Sequence, residues 1–359
     1  MTSVKRTHFF ALITILSVTI SFIGLIAVYN ASVVEAFNDF HDKYYFAKQQ
    51  LAWLVLGLSA YFITSRFSSK LMKKISLPLF VFSLLMMLLV LIPGLGLRLS
   101  GARRWISLGP FRFQPSELLK TSLVVYLATW LESPKEMKKF AILLAFCLGL
   151  IMLQPDLGTA VIVATLGFGL FYLSGNKIRE ILLFFIALTA AAAVLIFASP
   201  YRLERLKTFL DPTSDPLGRS YHINQVLIGL GSGGISGVGL GRSRQKYAYL
   251  PEATTDSIFT IVGEELGFIG GVVLIVLLLS LSVVAFRVAA DARDQHGRLL
   301  AAGVALLFST QTFVNLASMV ALVPLTGVPL PLISYGGSSL ITTFAALGIL
   351  ASVARLQKL

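Results

Sequence analysis

Apolar runs of about 20 residues recur along the whole 359-residue chain. A helix of that length crosses the hydrocarbon core of a bilayer. Apolar residues make up 56% of the chain and charged residues only 13%, whereas about a quarter of the residues in a soluble domain are charged. Because lipid offers no hydrogen-bond partner to a bare backbone, we predict an all-α integral membrane protein.

Ten such runs predict ten transmembrane helices. We interpret the chain as a single membrane domain over residues 1–359, with one large extracytoplasmic loop, about residues 200–256, between the seventh and eighth helices. The first run is read as a retained helix because it is longer than the core of a signal peptide and more spans follow it. The predicted spans are residues 9–29, 46–65, 76–92, 118–132, 140–154, 158–174, 180–199, 257–286, 300–323 and 335–354.

Basic residues are divided unevenly between the two sides of the predicted bundle. With ten spans both termini lie on one side, and that side carries 16 of the 30 Lys and Arg residues, with some at every connection. Short cytoplasmic loops are enriched in Lys and Arg. We therefore expect both termini in the cytoplasm and the 200–256 loop on the opposite face of the membrane.

The outer loop of residues 93–117 departs from this rule because it carries four Arg residues. Arg103 and Arg104 directly precede Trp105. The planar guanidinium fork suits phosphate because it can bind two oxygens at once. The loop therefore indicates an anionic ligand, and the alternative is that these Arg residues bind lipid headgroups.

Three further ionisable residues lie at or near predicted helix starts. Glu117 and Lys120 stand three residues apart and share a helix face. They form either a structural ion pair or part of a site, because ionisable groups within a span are costly and usually functional. Asp156 lies in a tight outer turn, where it is either a helix cap or a site residue.

The end of the 200–256 loop is the most informative stretch of the chain. Six Gly residues lie within residues 231–241, which permits close approach of the backbone to its surroundings. The basic residues Arg242, Arg244 and Lys246 follow at once. They are candidates for binding an anionic substrate.

Asp256 stands where this loop enters the eighth span. It is either a cap at the helix N-terminus or a general base for a hydroxyl nucleophile at the edge of a basic site. Glu264 and Glu265, two turns further on, are expected to make polar contacts in the protein interior. Ser334 and Ser338 belong to a Pro- and Gly-rich stretch whose irregular backbone is expected to line a cavity.

The sequence gives no positive signal for a metal centre or a dinucleotide site. Four scattered His residues form no cluster, and the single Cys147 lies inside an apolar run as a small buried residue. The Gly-rich stretch is not a Rossmann fingerprint, because no strand–helix–strand unit surrounds it.

Taken in chain order, these motifs resemble those of the SEDS family (shape, elongation, division and sporulation), the membrane glycosyltransferases typified by FtsW, RodA and SpoVE. Each motif is weak alone, but the set is specific and covers essentially the whole chain. Its details are more similar to the division and sporulation branch than to the elongation branch. The matching motifs are Gly101–Trp105, Gln114–Glu117 with Lys120, Gln154–Gly158, Gly237–Gly241, Tyr249–Ala253, Thr255–Asp256, Gly263–Gly267 and Pro331–Ser339.

The resemblance implies a peptidoglycan glycosyltransferase that polymerises lipid II at the outer face of the cytoplasmic membrane, for septal wall synthesis in cell division. Asp256 matches the essential acid of the family. It would take the proton from the acceptor sugar 4-hydroxyl, whose oxygen would attack the donor's anomeric carbon with inversion. One departure is Thr254, where the family usually has His, which removes a neighbour of Asp256 that could titrate or form a hydrogen bond.

The departing undecaprenyl pyrophosphate needs positive charge nearby. A bound divalent cation, Mg or Mn, is one expected source. The family also implies a class B penicillin-binding protein as partner, together with other divisome proteins, and no nucleic acid. The residues expected to bind substrate or support its leaving group are Lys48, Arg103, Arg104, Glu117, Lys120, Asp156, Arg242, Arg244, Lys246, Ser334 and Ser338.

Three other functions compete with this interpretation. A lipid II flippase shares the substrate and the multi-pass build but needs no general base. A small-solute transporter would use Glu264 and Glu265 as coupling sites and predicts inverted repeats, which the sequence does not clearly show. A scaffolding division protein would leave the cationic outer loops without a purpose.

Overall fold

Helices make up most of the protein. The structure, a computed structural model, describes residues 2–356 except 100–101, 110, 134, 198–202, 205–207, 212–214, 216–217, 219 and 248. We number the helices described in detail in chain order. They are α1 Thr2–Phe40, α2 Tyr45–Thr64, α3 Ser69–Leu89, α4 Pro115–Trp130, α5 Met137–Leu153, α6 Leu157–Leu173, α7 Ile178–Phe197, α8 Tyr221–Ser232, α9 Ile258–Ala290, α10 Gln295–Met319 and α11 Gly337–Leu356.

Each of the ten predicted spans overlaps one of these long helices. Five of them, α1, α3, α9, α10 and α11, are long and apolar enough by length and composition to cross a membrane. The fold is therefore mostly helical with several candidate membrane spans, as predicted. The number of exactly ten crossings, and the side on which the large loop lies, stay predictions.

Several helix boundaries differ from the sequence prediction, such as the start of α3 at Ser69 rather than residue 76, and two of the differences have a local cause. Helix α1 continues for eleven residues beyond the predicted end at Tyr29, since the residues that follow contain neither Gly nor Pro. Helix α10 ends at Met319, four residues before the predicted end, because Pro324 follows closely and cannot continue a helix.

The 93–117 loop contains a small sheet that the sequence interpretation did not include. Strands β1 Gly96–Leu99, β2 Ala102–Leu108 and β3 Phe111–Phe113 pair antiparallel in that order. Leu97 pairs with Trp105 and Ile106 with Phe113. Successive side chains of a strand point to opposite faces, so Arg103 and Arg104 reach different neighbours.

Helix α10 lies at the centre of the bundle, where it packs against α4, α6, α9 and α11. Two irregular segments pass close to it. We call residues 252–257, which precede α9, the Asp256 turn, and residues 324–336, which precede α11, the Pro-rich segment.

Candidate functional site

The Asp256 turn and the Pro-rich segment are hydrogen-bonded to each other. The amide of Tyr335 donates to the carbonyl of Thr254 at 2.9 Å. The hydroxyl of Ser334 donates to the carbonyl of Thr255 and accepts from the amide of Leu330 at 2.8 Å. These contacts satisfy irregular backbone in the interior, where an unpaired polar group is costly.

Asp256 lies in this junction with only 8% of its surface exposed. Its Oδ1 accepts from the Thr255 hydroxyl at 3.3 Å. The N-cap of α9 is Ser257, so Asp256 lies one residue outside the helix rather than at the cap position. The ring nitrogen of His222, from α8, is 2.7 Å from the hydroxyl of Ser257. The residue that follows Asp256 is thereby tied to α8.

A buried ion pair connects α4 to the Pro-rich segment through α10. The Lys120 ammonium donates to Glu117 at 2.8 Å and to Oε1 of Gln311 at 2.7 Å. The side chains of Lys120 and Glu117 are 2% and 4% exposed. Nε2 of Gln311 then donates to the carbonyl of Pro329 at 3.0 Å. The geometry gives the pair a structural role, and its role in binding substrate stays a prediction.

Arg104 holds the tight turn between α5 and α6. Its Nε donates to the carbonyl of Gln154 at 2.8 Å, and its Nη2 donates to that of Pro155. Asp156 caps α6, since it accepts from the amide of Thr159 at 3.0 Å and from its hydroxyl at 2.9 Å. Both residues are thus engaged in forming the turn, and their predicted contact with substrate is untested.

The Gly-rich stretch, residues 231–241, donates backbone hydrogen bonds to α9 next to a break in that helix. Gly267 has φ +68° inside the helix, a conformation that favours Gly. The amides of Val238 and Gly239 donate to the carbonyls of Glu264 and Glu265, each at 3.0 Å. A Cβ on Gly267 would lie 2.3 Å from a backbone nitrogen of the opposing stretch, so only Gly permits this approach.

The side chains of Glu264 and Glu265 fasten the basic run that follows. Glu264 accepts from the amide of Arg244 at 3.0 Å and from the hydroxyl of Ser243. Glu265 lies 3.6 Å from the ammonium of Lys246, and both side chains are at most 4% exposed. The expected polar interior contacts are therefore present. Lys246 is occupied by this ion pair, and its substrate contact stays a prediction.

Arg242 and Arg244 project outward from this anchored run. Both are exposed. Among the residues that the structure describes, no carboxylate pairs with either guanidinium. Arg103 makes one long contact, 3.5 Å, to the carbonyl of Leu91. Among the candidate Arg residues, these three make the fewest hydrogen bonds within the part of the chain that the structure describes.

Lys48 is exposed near the start of α2, and Ser338 is buried near the start of α11. The exposed ammonium of Lys48 donates to Asp42 at 2.7 Å, and this hydrogen bond lowers the pKa of that carboxyl. Ser338, at the start of α11, accepts from the amide of Gln114 at 3.0 Å and joins α11 to the end of the small sheet. Their predicted contacts with substrate are untested.

Three residues of the junction carried no motif that the sequence interpretation could use. Gln311 and Asn315 lie in a helix predicted only as a span, and His222 lies in the predicted 200–256 loop. Polar residues in an apolar span are a usable signal, since they face the bundle interior and a partner. The sequence could not identify that partner.

A pre-built metal centre is not found in the described part of the chain, where no three His, Cys, Asp or Glu residues come together. Mg²⁺ commonly relies on one or two carboxylates plus substrate phosphates. The predicted divalent cation therefore stays a prediction.

Fold and site define a multi-pass membrane protein that has a buried carboxylate just before α9 and exposed cations in two loops. The family model for cell cycle proteins of the FtsW, RodA and SpoVE type matches residues 10–359. The chain therefore belongs to that family.

Named relatives align with this chain over nearly its full length. A probable peptidoglycan glycosyltransferase FtsW of Trichlorobacter lovleyi is 39% identical over 95% of this chain and 92% of its own. Stage V sporulation protein E of Bacillus subtilis is 37% identical over 99% of both chains.

Solved structures show the same fold. A chain from a peptidoglycan synthase complex, studied for the coordination of polymerization and crosslinking, is 33% identical with a TM-score of 0.79, over 96% of this chain and 97% of that one. Thermus thermophilus RodA, a rod shape determining protein, is 31% identical with a TM-score of 0.70, over 96% and 95%.

Proposed function

We propose that this chain is a peptidoglycan glycosyltransferase that polymerises lipid II into glycan strands for septal wall synthesis, with Asp256 as general base. The observation that carries the proposal is the position of Asp256, a buried carboxylate fixed between two irregular segments at the start of α9. A general base must be held within hydrogen-bond reach of the proton that it removes.

In this reaction the carboxylate of Asp256 takes the proton of the acceptor's 4-hydroxyl. The acceptor oxygen forms a bond to the anomeric carbon of the donor, and the bond from that carbon to undecaprenyl pyrophosphate breaks. The pyrophosphate leaves from the opposite face with its electron pair, so the configuration inverts. One carboxylate is then enough, because no covalent enzyme intermediate forms.

The leaving pyrophosphate is stabilised by positive charge. Arg103, Arg242 and Arg244 are suited to this role, because their guanidinium groups make fewer hydrogen bonds among the described residues than that of Arg104. Lys120 and Lys246 contribute by holding the surrounding elements, since both are buried in ion pairs.

For the membrane arrangement we propose ten crossings in a single domain over residues 1–359. Both termini are cytoplasmic, and the active site faces the outer side of a bacterial inner membrane. The distribution of Lys and Arg supports this orientation, because 16 of the 30 lie on the side of the termini.

The proposed partner is a class B penicillin-binding protein, with other divisome proteins acting more remotely. Support comes from the exposed apolar residues that the anchored Gly-rich stretch and the run after it present. Exposure is 73% for Ile235, 64% for Leu240, 57% for Tyr247 and 56% for Tyr249. Tyr and Arg on a rigid surface are typical of binding hot spots.

The flippase remains the second candidate function, because it uses the same lipid. Detergent micelles distinguish the two activities, because a micelle has no second leaflet to which a flippase could move lipid. We expect the purified protein with its partner to convert lipid II in detergent into glycan chains of many disaccharides. Unchanged lipid II in detergent, together with its translocation across vesicle membranes, would contradict the polymerase and favour the flippase.

A further inference from the structure

Helix α10 presents two buried carboxamides to the site. Nδ2 of Asn315 donates to the backbone carbonyls of Asp256 and Val328, each at 2.8 Å. One helical turn earlier, Nε2 of Gln311 donates to the carbonyl of Pro329 at 3.0 Å. Three hydrogen bonds thus fasten the Asp256 turn and the Pro-rich segment to the central helix of the bundle.

Packing alone does not account for Asn315. The residue is 0% exposed, and its Oδ1 has no partner among the described residues. An unpaired buried acceptor is costly, and a leucine of similar volume would avoid that cost. Of the two polar side-chain atoms of Asn315, the amide nitrogen has two hydrogens and can donate to two carbonyls at once. The pair of donated hydrogen bonds therefore explains the residue better than its volume does.

The backbone of Asp256 depends on such contacts because it lies outside α9. The helix begins after Ser257, so helical hydrogen bonds do not set the position of the preceding residue. A catalytic group misplaced by about 1 Å can lose about 10²-fold in rate. A donor that ties the carbonyl of Asp256 to a rigid helix therefore bears directly on catalysis.

We propose that Asn315 is a positioning residue, which sets the location of Asp256 by joining its carbonyl to the Pro-rich segment. This inference rests on the proposed function of Asp256. Gln311 acts in the same way on the neighbouring carbonyl, with a smaller effect because it does not contact the Asp256 turn itself.

The test compares Asn315→Leu and Asn315→Asp with wild type in lipid II polymerisation with the partner present. Leu removes both donors, and Asp puts an acceptor against two carbonyls. We expect kcat to fall by about 10- to 100-fold, more for Asp than for Leu, with KM for lipid II unchanged. Hydrogen exchange of peptides covering residues 252–258 and 328–335 should become faster.

Asn176→Asp is the matched control. The Asn176 amide also donates to two acceptors, the carbonyl of Phe171 at 3.2 Å and the hydroxyl of Ser174 at 2.7 Å, but at the far end of α6. We expect this variant to keep the wild-type kcat and the wild-type exchange of the Asp256 turn.

The outcomes separate the inference from the function on which it rests. If wild type makes no glycan, the proposed function fails. If wild type is active and Asp256→Asn is inactive while both Asn315 variants keep the wild-type kcat, only the positioning role is overturned. A rise in KM at constant kcat also overturns it.

Gln311→Glu provides the test if the Asn315 variants do not fold. Glu keeps an acceptor for Lys120 but loses the donor to Pro329. We expect kcat to fall by several-fold at constant KM, on the order of the loss of one hydrogen bond. An unchanged kcat would overturn the positioning role of this face of α10.

Discussion

Replacing Asp256 by Asn is expected to reduce glycan formation by about 10²- to 10⁴-fold, the usual contribution of a general base. The amide is nearly isosteric, so the hydrogen bond from Thr255 and the backbone contact from Asn315 can persist. What is lost is the ability to accept the proton of the acceptor hydroxyl. The measurement is the initial rate of polymerisation, with lipid II affinity determined separately and expected to stay within a few-fold.

Glu252→Gln is the matched control for this substitution. Glu252 lies in the same turn, is exposed, and accepts from the Thr255 hydroxyl at 2.8 Å. Removing its charge tests whether the loss of any carboxylate in this turn lowers the rate of polymerisation. We expect nearly wild-type rates. Asp256 would not be the base if its Asn variant polymerised as fast as wild type. The same conclusion would follow if Glu252→Gln lowered the rate as much as Asp256→Asn.

Replacing Lys120 by Met is expected to destabilise the fold by about 3–5 kcal/mol, the cost of leaving one partner of a buried ion pair uncompensated. Glu117 would keep its charge in a position where its side chain is 4% exposed. Gln311 would also lose the donor to its Oε1. The measurement is thermal unfolding of the purified protein in detergent.

The double variant Glu117→Gln with Lys120→Met should recover most of this loss, since no isolated charge remains. The exposed pair of Glu136 and Lys139 is the matched control, because it has the same spacing but side-chain exposures of 69% and 64%. Lys139→Met should cost at most about 1 kcal/mol. Equal destabilisation by the two single Lys variants would contradict the structural importance of the buried pair.

Much of the helical fold was predictable from the sequence because length and hydropathy are local properties. The small sheet was not, since the Arg-rich loop between α3 and α4 has strands of only three to seven residues. The pairing of its strands depends on their register and on the helices that support the sheet. A short stretch of sequence does not reveal either of these. The break at Gly267 was not predictable either, because the hydrogen bonds that stabilise it come from the Gly-rich stretch, which is distant in sequence.

The candidate site was predictable in its residue types but in only a few of their partners. Asp256, Lys120 and Lys246 were identified from charge and motif. The structure pairs Lys120 with Glu117 within α4 and Lys246 with Glu265 of α9, and only the second contact depends on how a loop packs against a helix. Spacing suggested the first pair, since it joins residues three apart, whereas the second joins residues from a loop and a helix. Asn315 was missed for the same reason, because its acceptors lie in two remote segments.

The most direct test of the central claim, direct displacement assisted by Asp256, is the configuration of the bond that is formed. Wild-type protein with its partner would convert isotopically labelled lipid II, and NMR would define the new linkage at the donor's anomeric carbon. We expect inversion relative to the donor, because a base-assisted displacement leaves no covalent intermediate. Retention would contradict it, since Asp256 or another group would then have to act as a nucleophile.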